Sequence, residues 1–241
     1  MSRIAVGAVL SLAAGASASI DFSVDGGGIA LQNGQEILGS EFNPLFDVTT
    51  DAAGGLAIFD TTDPGPNSAG NDPDLLVNLG NALIMQENNI QTQTTPGIFD
   101  TPNDEGSGGN ITFSFLAATE LASVTLIDMN GGNGGTVTLT DAGGNVRVFD
   151  VPQMWTNDID SEGPLGFGVI DFAELGPQTA DTSVEVTVTQ NDAGFDLSQV
   201  VELNIFFVGS GAVDNLEIIP APGTVALAFA GMGFAARRRR G

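Results

Sequence analysis

Carboxylates are almost the only side chains in this sequence equipped for chemistry. The 241 residues hold 30 acids against 6 bases, with no Cys, His or Tyr, and Lys is also missing. Most general bases, most nucleophiles and the usual zinc ligands are therefore absent. The acids with the most suggestive placement are Asp60, Asp63, Asp72, Asp74, Asp104 and Asp214, with Glu105 beside them. Asp214 stands in "SGAVDNLEII" (Ser210 to Ile219), where strand alternation predicts that it points with Leu216 and Ile218 toward the core. A buried carboxylate needs a cation or several hydrogen bonds, because desolvation otherwise favours its neutral form. Arg147, or backbone N–H groups of the Gly-rich "GSGA" turn, would meet that need. So would a Ca²⁺ shared with the loop acids, since calcium accepts six to eight oxygen ligands in flexible geometry. The other acids come from two polar loops, "FDTTDPGPNSAGNDPDLL" (Phe59 to Leu76) and "FDTPNDEGSGGN" (Phe99 to Asn110). Solvated acids are the plain alternative for each of them.

Two further stretches need weighing. "DIDSEG" (Asp158 to Gly163) places acids as an EF-hand loop would, but its twelfth position is Val169, where a bidentate Glu is required. It reads as a solvated acidic loop. Trp155, the only Trp, lies in the polar stretch "PQMWTND" and has two readings: an exposed platform for stacking a sugar ring, or a cover for the edge of the core.

The elements that must position these residues are strands. "ITFSFL" (Ile111 to Leu116), "SVTLIDM" (Ser123 to Met129), "TVTLT" (Thr136 to Thr140), "VRVFDV" (Val146 to Val151), "SVEVTVTQ" (Ser183 to Gln190) and "VVELNIFFVG" (Val200 to Gly209) are rich in β-formers and largely alternate. "NALIMQENN" (Asn81 to Asn89) reads as another. Gly- and Asn-rich turns separate them, and no helical period of useful length appears. The pattern predicts an all-β chain, an antiparallel β-sandwich of jelly-roll type over residues 19–219.

The ends carry a different message. "MSRIAVGAVLSLAAGASAS" has a basic start, an apolar run and Ala16-Ser17-Ala18, which predicts a signal peptide over residues 1–18. Residues 220–241 combine Pro220-Ala221-Pro222, an apolar run from Val225 to Ala236, and Arg237, Arg238, Arg239 and Arg240. The apolar run is short for a bilayer span, and its arginines would stay cytoplasmic, as in a stop-transfer helix. This tail resembles the PEP-CTERM sorting signal, although the usual motif has Glu between the prolines. That resemblance implies export, transient anchoring in the inner membrane, processing by an exosortase-like protease, and delivery to the cell surface or an exopolysaccharide matrix. "DPDL" (Asp72 to Leu75), "GNALI" (Gly80 to Ile84) and "SGAVDNL" (Ser210 to Leu216) also resemble exported bacterial β-sandwich proteins without an established activity. In jelly-roll carbohydrate-binding modules, a structural calcium near the last strand is frequent, so this resemblance too points to Ca²⁺.

All acids lie between Asp21 and Glu217, where Arg147 is the one base, leaving that segment at a net of −29. Such a body is repelled by nucleic acid. The expected protein is a non-catalytic surface or matrix component, stabilised by calcium and in contact with exopolysaccharide. The competing expectation is a glycoside hydrolase or lyase that works through a pair of carboxylates.

Overall fold

In the computed structural model, residues 18–70, 72–129, 132, 134–157 and 166–219 are described. Residues 1–17 of the expected signal peptide, the Asp158–Gly163 loop, and the tail with Pro220, Pro222 and Arg237 to Arg240 lie outside them. The described chain is all-β: thirteen strands, every ladder antiparallel, and no α-helix. Among the described residues no helix is long and apolar enough to cross a membrane.

One strand organises the rest. The runs expected as two strands at Ile111 and Ser123 are a single 19-residue strand, β6 (Gly109–Ile127). Its first half pairs with β3 (Phe46–Thr50) on one side and β12 (Val200–Phe207) on the other. Its second half pairs with β9 (Phe167–Asp171) and β13 (Ala212–Ile219). Between them, six residues of β6 (Ser114 to Thr119) span only three of β12 (Val200 to Glu202), so Phe115 to Ala118 have no partner in β12. The strand therefore carries the chain from one sheet into the other. From β12 the first sheet continues through β7 (Gly135–Asp141), β8 (Val146–Val151) and β11 (Glu185–Asn191) to β10 (Gln178–Thr179). The second runs from β13 through β5 (Asn81–Met85) and β4 (Leu56–Asp60) to β2 (Glu36–Ile37), with β1 (Ala18–Ile20) alongside the end of β13.

Inward residues of both sheets form one core. Phe113, Val137, Leu139, Phe149, Leu203 and Ile205 from the first pack with Ile58, Leu83, Val124, Leu126, Val213 and Leu216 from the second. A chain of rings, Phe22–Phe42–Phe46–Phe113, runs through it with centroids 5.1–5.5 Å apart. The second sheet is also covered on its outer face, where Phe59, Ala82, Ile84, Ile127 and Ala212 meet Leu75, Leu76, Val77 and Phe99 from the two polar loops. That double burial explains why "LAIF" and "ALIM" in β4 and β5 are continuous apolar runs without alternation.

Trp155 belongs to the core. Its ring is fully enclosed, and its Nε1 donates to the Gln178 carbonyl at 3.2 Å. Gly168 makes room for it: a Cβ there would lie 2.6 Å from both the ring's Cη2 and Ala180 Cβ. Gly168→Ala is accordingly expected to cost about 1–3 kcal/mol through overpacking, read from the denaturant midpoint.

Candidate functional site

Loops acquire fixed positions only where something ties them down, and here the ties converge on Asp104. This residue lies in the β5–β6 connection and is 5% exposed. Its backbone N–H donates to Asp72 Oδ2 at 2.8 Å, which joins it to the β4–β5 loop. Its own Oδ2 accepts the Gly211 N–H at 2.6 Å, from the turn between β12 and β13. Gly211 is required at that point: its φ is +150°, and a Cβ would lie 2.6 Å from the Phe207 ring. Next to it, Ser210 Oγ donates to Asp128 Oδ2 at 2.7 Å. Asp128 directly follows β6, with a left-handed φ of 63°, and is 1% exposed. Three loops and a strand end thus meet at carboxyl groups.

The electrostatics follow from that burial. Desolvation first, then the charges of Asp72, Asp128 and Asp74, push Asp104 well above the ordinary carboxylate range. Burial also raises Asp72, to about 6; the Asp104 N–H opposes the rise, and the charges of Asp74 and Glu87 add to it. The two side chains hydrogen-bond each other. Of the pair, Asp104 is the more deeply buried and the more strongly biased toward its protonated form. Chemically, the joint can hold a proton or exchange it for a cation. As placed, the described residues include no group of three or more carboxylates in which a metal ion could sit.

The structure thus brings three of the six expected ligands, Asp72, Asp74 and Asp104, into one electrostatic group and adds Asp128, which sequence reasoning missed. The only signal for Asp128 is a lone carboxylate between Leu126-Ile127 and Met129. Asp60 and Asp63 instead shape their own loop. Asp60 Oδ1 accepts the Thr62 N–H at 2.9 Å, and Asp63 Oδ1 accepts from Ser68 Oγ at 2.7 Å.

Asp214 corrects the expectation in one respect. It is fully buried, but not on the side of Leu216 and Ile218. It pairs with Thr125, next to the Ala212–Ile127 pair of the outer layer, whereas Val213 and Leu216 both enter the main core. The ladder shifts after Asp214, and Asn215 takes φ 44°, which reverses the alternation. Asp214 is satisfied by its neighbour: Asn215 N–H and Nδ2 donate to its two oxygens at 2.7 and 2.8 Å. Burial, with a lesser contribution from the Asp21 charge, raises it to about 7 against those bonds. Arg147 is engaged elsewhere, donating to Asn191 Oδ1 and the Phe172 carbonyl and lying 4.4 Å from the Phe195 ring centroid. Trp155, enclosed as described, offers no face on which a sugar could stack, so the platform reading is withdrawn.

No family model matches the chain, and no curated protein matches it.

Proposed function

We propose that the protein is an exported, non-catalytic component of the cell surface or extracellular matrix, a β-sandwich of jelly-roll type whose loops are held by calcium. The observation that carries this reading is the convergence of Asp72, Asp74, Asp104 and Asp128 on one buried joint that ties three loops to a strand end. Carboxylates that repel one another in low dielectric are stabilised by a divalent cation or by protons. A small rearrangement of the loops would let Ca²⁺ take the proton's place, with backbone carbonyls and water completing its shell. The signal peptide, exosortase processing and exopolysaccharide contact implied by the ends of the sequence complete the reading. Use of the joint as a hydrolytic pair is disfavoured by geometry. Its carboxyl groups are in hydrogen-bond contact and enclosed, whereas glycosidase pairs stand about 5–9.5 Å apart across an open bond.

Thermal unfolding of the full chain in EDTA and in millimolar calcium, at fixed high NaCl, tests this. At a hundred times Kd a ligand specific to the folded state adds about 2.7 kcal/mol. For a chain of this size that is a rise of roughly 5–10 °C, with magnesium ineffective. An unchanged Tm would remove calcium from the proposal and leave the acids as a salt-adapted surface.

A further inference from the structure

Cutting a leader from a chain leaves a charged amine where a neutral amide stood. The cut expected here, between Ala18 and Ser19, falls inside β1, which lies along the end of β13. The ladder sets Ala18 against Ile218, Ser19 against Glu217 and Ile20 against Leu216. Residues opposed in this way carry their side chains on one face, with Cβ atoms roughly 4.5–5.5 Å apart. Ser19 is exposed and Glu217 half-buried. Ser19 Oγ also donates to Asn215 Oδ1 at 3.2 Å, and Asn215 supplies two donors to the buried Asp214. Asp21 is near enough to Asp214 for its charge to act there.

Ser19 therefore has Glu217 across the ladder, Asp21 along the chain and Asp214 behind Asn215. Glu120 and Asp171, from β6 and β9 on the other side of β13, line one groove with Glu217 and add to the negative potential. The one base among the described residues is Arg147, and it is bonded to Asn191 and Phe172. No side-chain cation of the described residues thus serves this group of acids.

Hydrolysis of the Ala18–Ser19 bond changes the balance. Water gives its hydroxyl to the Ala18 carbonyl carbon and a proton to the Ser19 nitrogen. That nitrogen takes up a second proton and is an ammonium below its ordinary pKa of about 7.7–8.0. The new carboxylate leaves with the leader, so the domain gains one positive charge at Ser19. We propose that this ammonium is the counter-ion of Glu217 and Asp21, and that processing thereby clamps β1 onto β13. The clamp rests on the signal peptide in the proposed function and adds what its removal does to the fold. The first residues of a domain stay ordered only when tied down, and the cut shortens β1 from three residues to two. A charge at its new end replaces the lost pairing of Ala18.

The chain has no Lys, so the α-amine is its single amine and can be labelled or blocked alone. The full chain, exported with its own leader, is purified and its N-terminus read by mass spectrometry. Isotope-labelled dimethylation, which keeps the charge, then gives the amine's pKa by NMR in the folded and the urea-unfolded protein. The expected N-terminus is Ser19, with an amine about half a unit to one unit higher in the folded state. A raised amine stabilises below its unfolded pKa, and that contribution is lost as pH rises through the folded one. Acetylation, which removes the charge, should therefore lower Tm by roughly 1–4 °C near pH 6 and have less effect above pH 9. Glu217→Gln and Asp21→Asn should each remove about half of the pKa shift, while Glu185→Gln, an exposed acid on β11, leaves it unchanged. Equal losses in Glu217→Gln and Glu185→Gln would assign the shift to the whole acidic body and overturn the counter-ion. An amine at Ser19 that titrates alike in both states would overturn the clamp and leave the leader reading intact. An N-terminus at any other residue would overturn the clamp together with the expected cut.

Discussion

Asp214→Asn is expected to make the protein more stable at pH 8, by up to about 4 kcal/mol, and to leave it nearly unchanged at pH 4. Asp214 has an ordinary value of 3.8 and is raised to about 7 in the fold, chiefly by burial. Below about pH 3.8 the group is protonated in both states and costs nothing. As pH rises through 7 the folded protein must hold a desolvated charge, or bind a proton that the unfolded chain has already released, and stability is lost across that window. Asn removes the charge. Its Oδ1 still accepts the Asn215 N–H, and a turn of the Asn215 amide supplies an acceptor for the new NH₂; that turn gives up only a 3.2 Å bond from Ser19 Oγ. Asp72 and Asp104 are raised for the same reason and slope the same way. Asp51, Asp141 and Asp192 are held low by hydrogen bonds, from Asn110, Asn145 and Val146 in turn, so their contributions vanish only as pH falls below the ordinary carboxylate range. In EDTA, the wild type should therefore peak near pH 4–5 and decline toward pH 8, with the variant declining less. Parallel pH profiles for the two chains would show that Asp214 carries no penalty.

The parts of this architecture that were legible in sequence are those with one wet face. In β7, burial alternates residue by residue along "GTVTLTD", so period-two patterning announces the strand. β4 lies between two apolar layers, and "LAIF" has no alternation to read; the polar loop predicted to begin at Phe59 in fact starts after Asp60. The loop acids were recognisable in sequence as members of two acidic loops. Which of them meet was not, because that depends on how the two loops lie over the outer face of the second sheet. Leu75 to Val77 and Phe99 supply that anchorage, and apolar residues inside polar loops are easily passed over. The orientation of Asp214 turns on one left-handed residue, Asn215, and a single shift of that kind exchanges the faces of everything beyond it. Likewise, the polar neighbours of Trp155 describe its surroundings in sequence and not in space: Met154 is half exposed, with φ 64°, while the next side chain turns fully inward.

That inward turn sets the other large expected effect. Trp155→Ala should cost about 3–5 kcal/mol, the range for emptying a large aromatic from a packed core. The loss has three sources. The ring lies in the main core against Gly168 of β9, and its removal opens a cavity there. The Gln178 carbonyl on β10 loses its indole donor. Gly168, kept bare to admit the ring, then has no side chain of its own with which to fill the space. Trp155→Phe should retain about half of that stability, because it refills most of the volume and forfeits the N–H. The readout is direct, since this chain has one Trp and no Tyr. Wild-type fluorescence excited at the indole band reports this site alone and should resist quenching by iodide until the fold opens, while circular dichroism follows unfolding of the variants. Ready quenching of the native protein, together with an Ala variant as stable as the wild type, would place the ring at the surface and return Trp155 to the list of candidate sugar contacts.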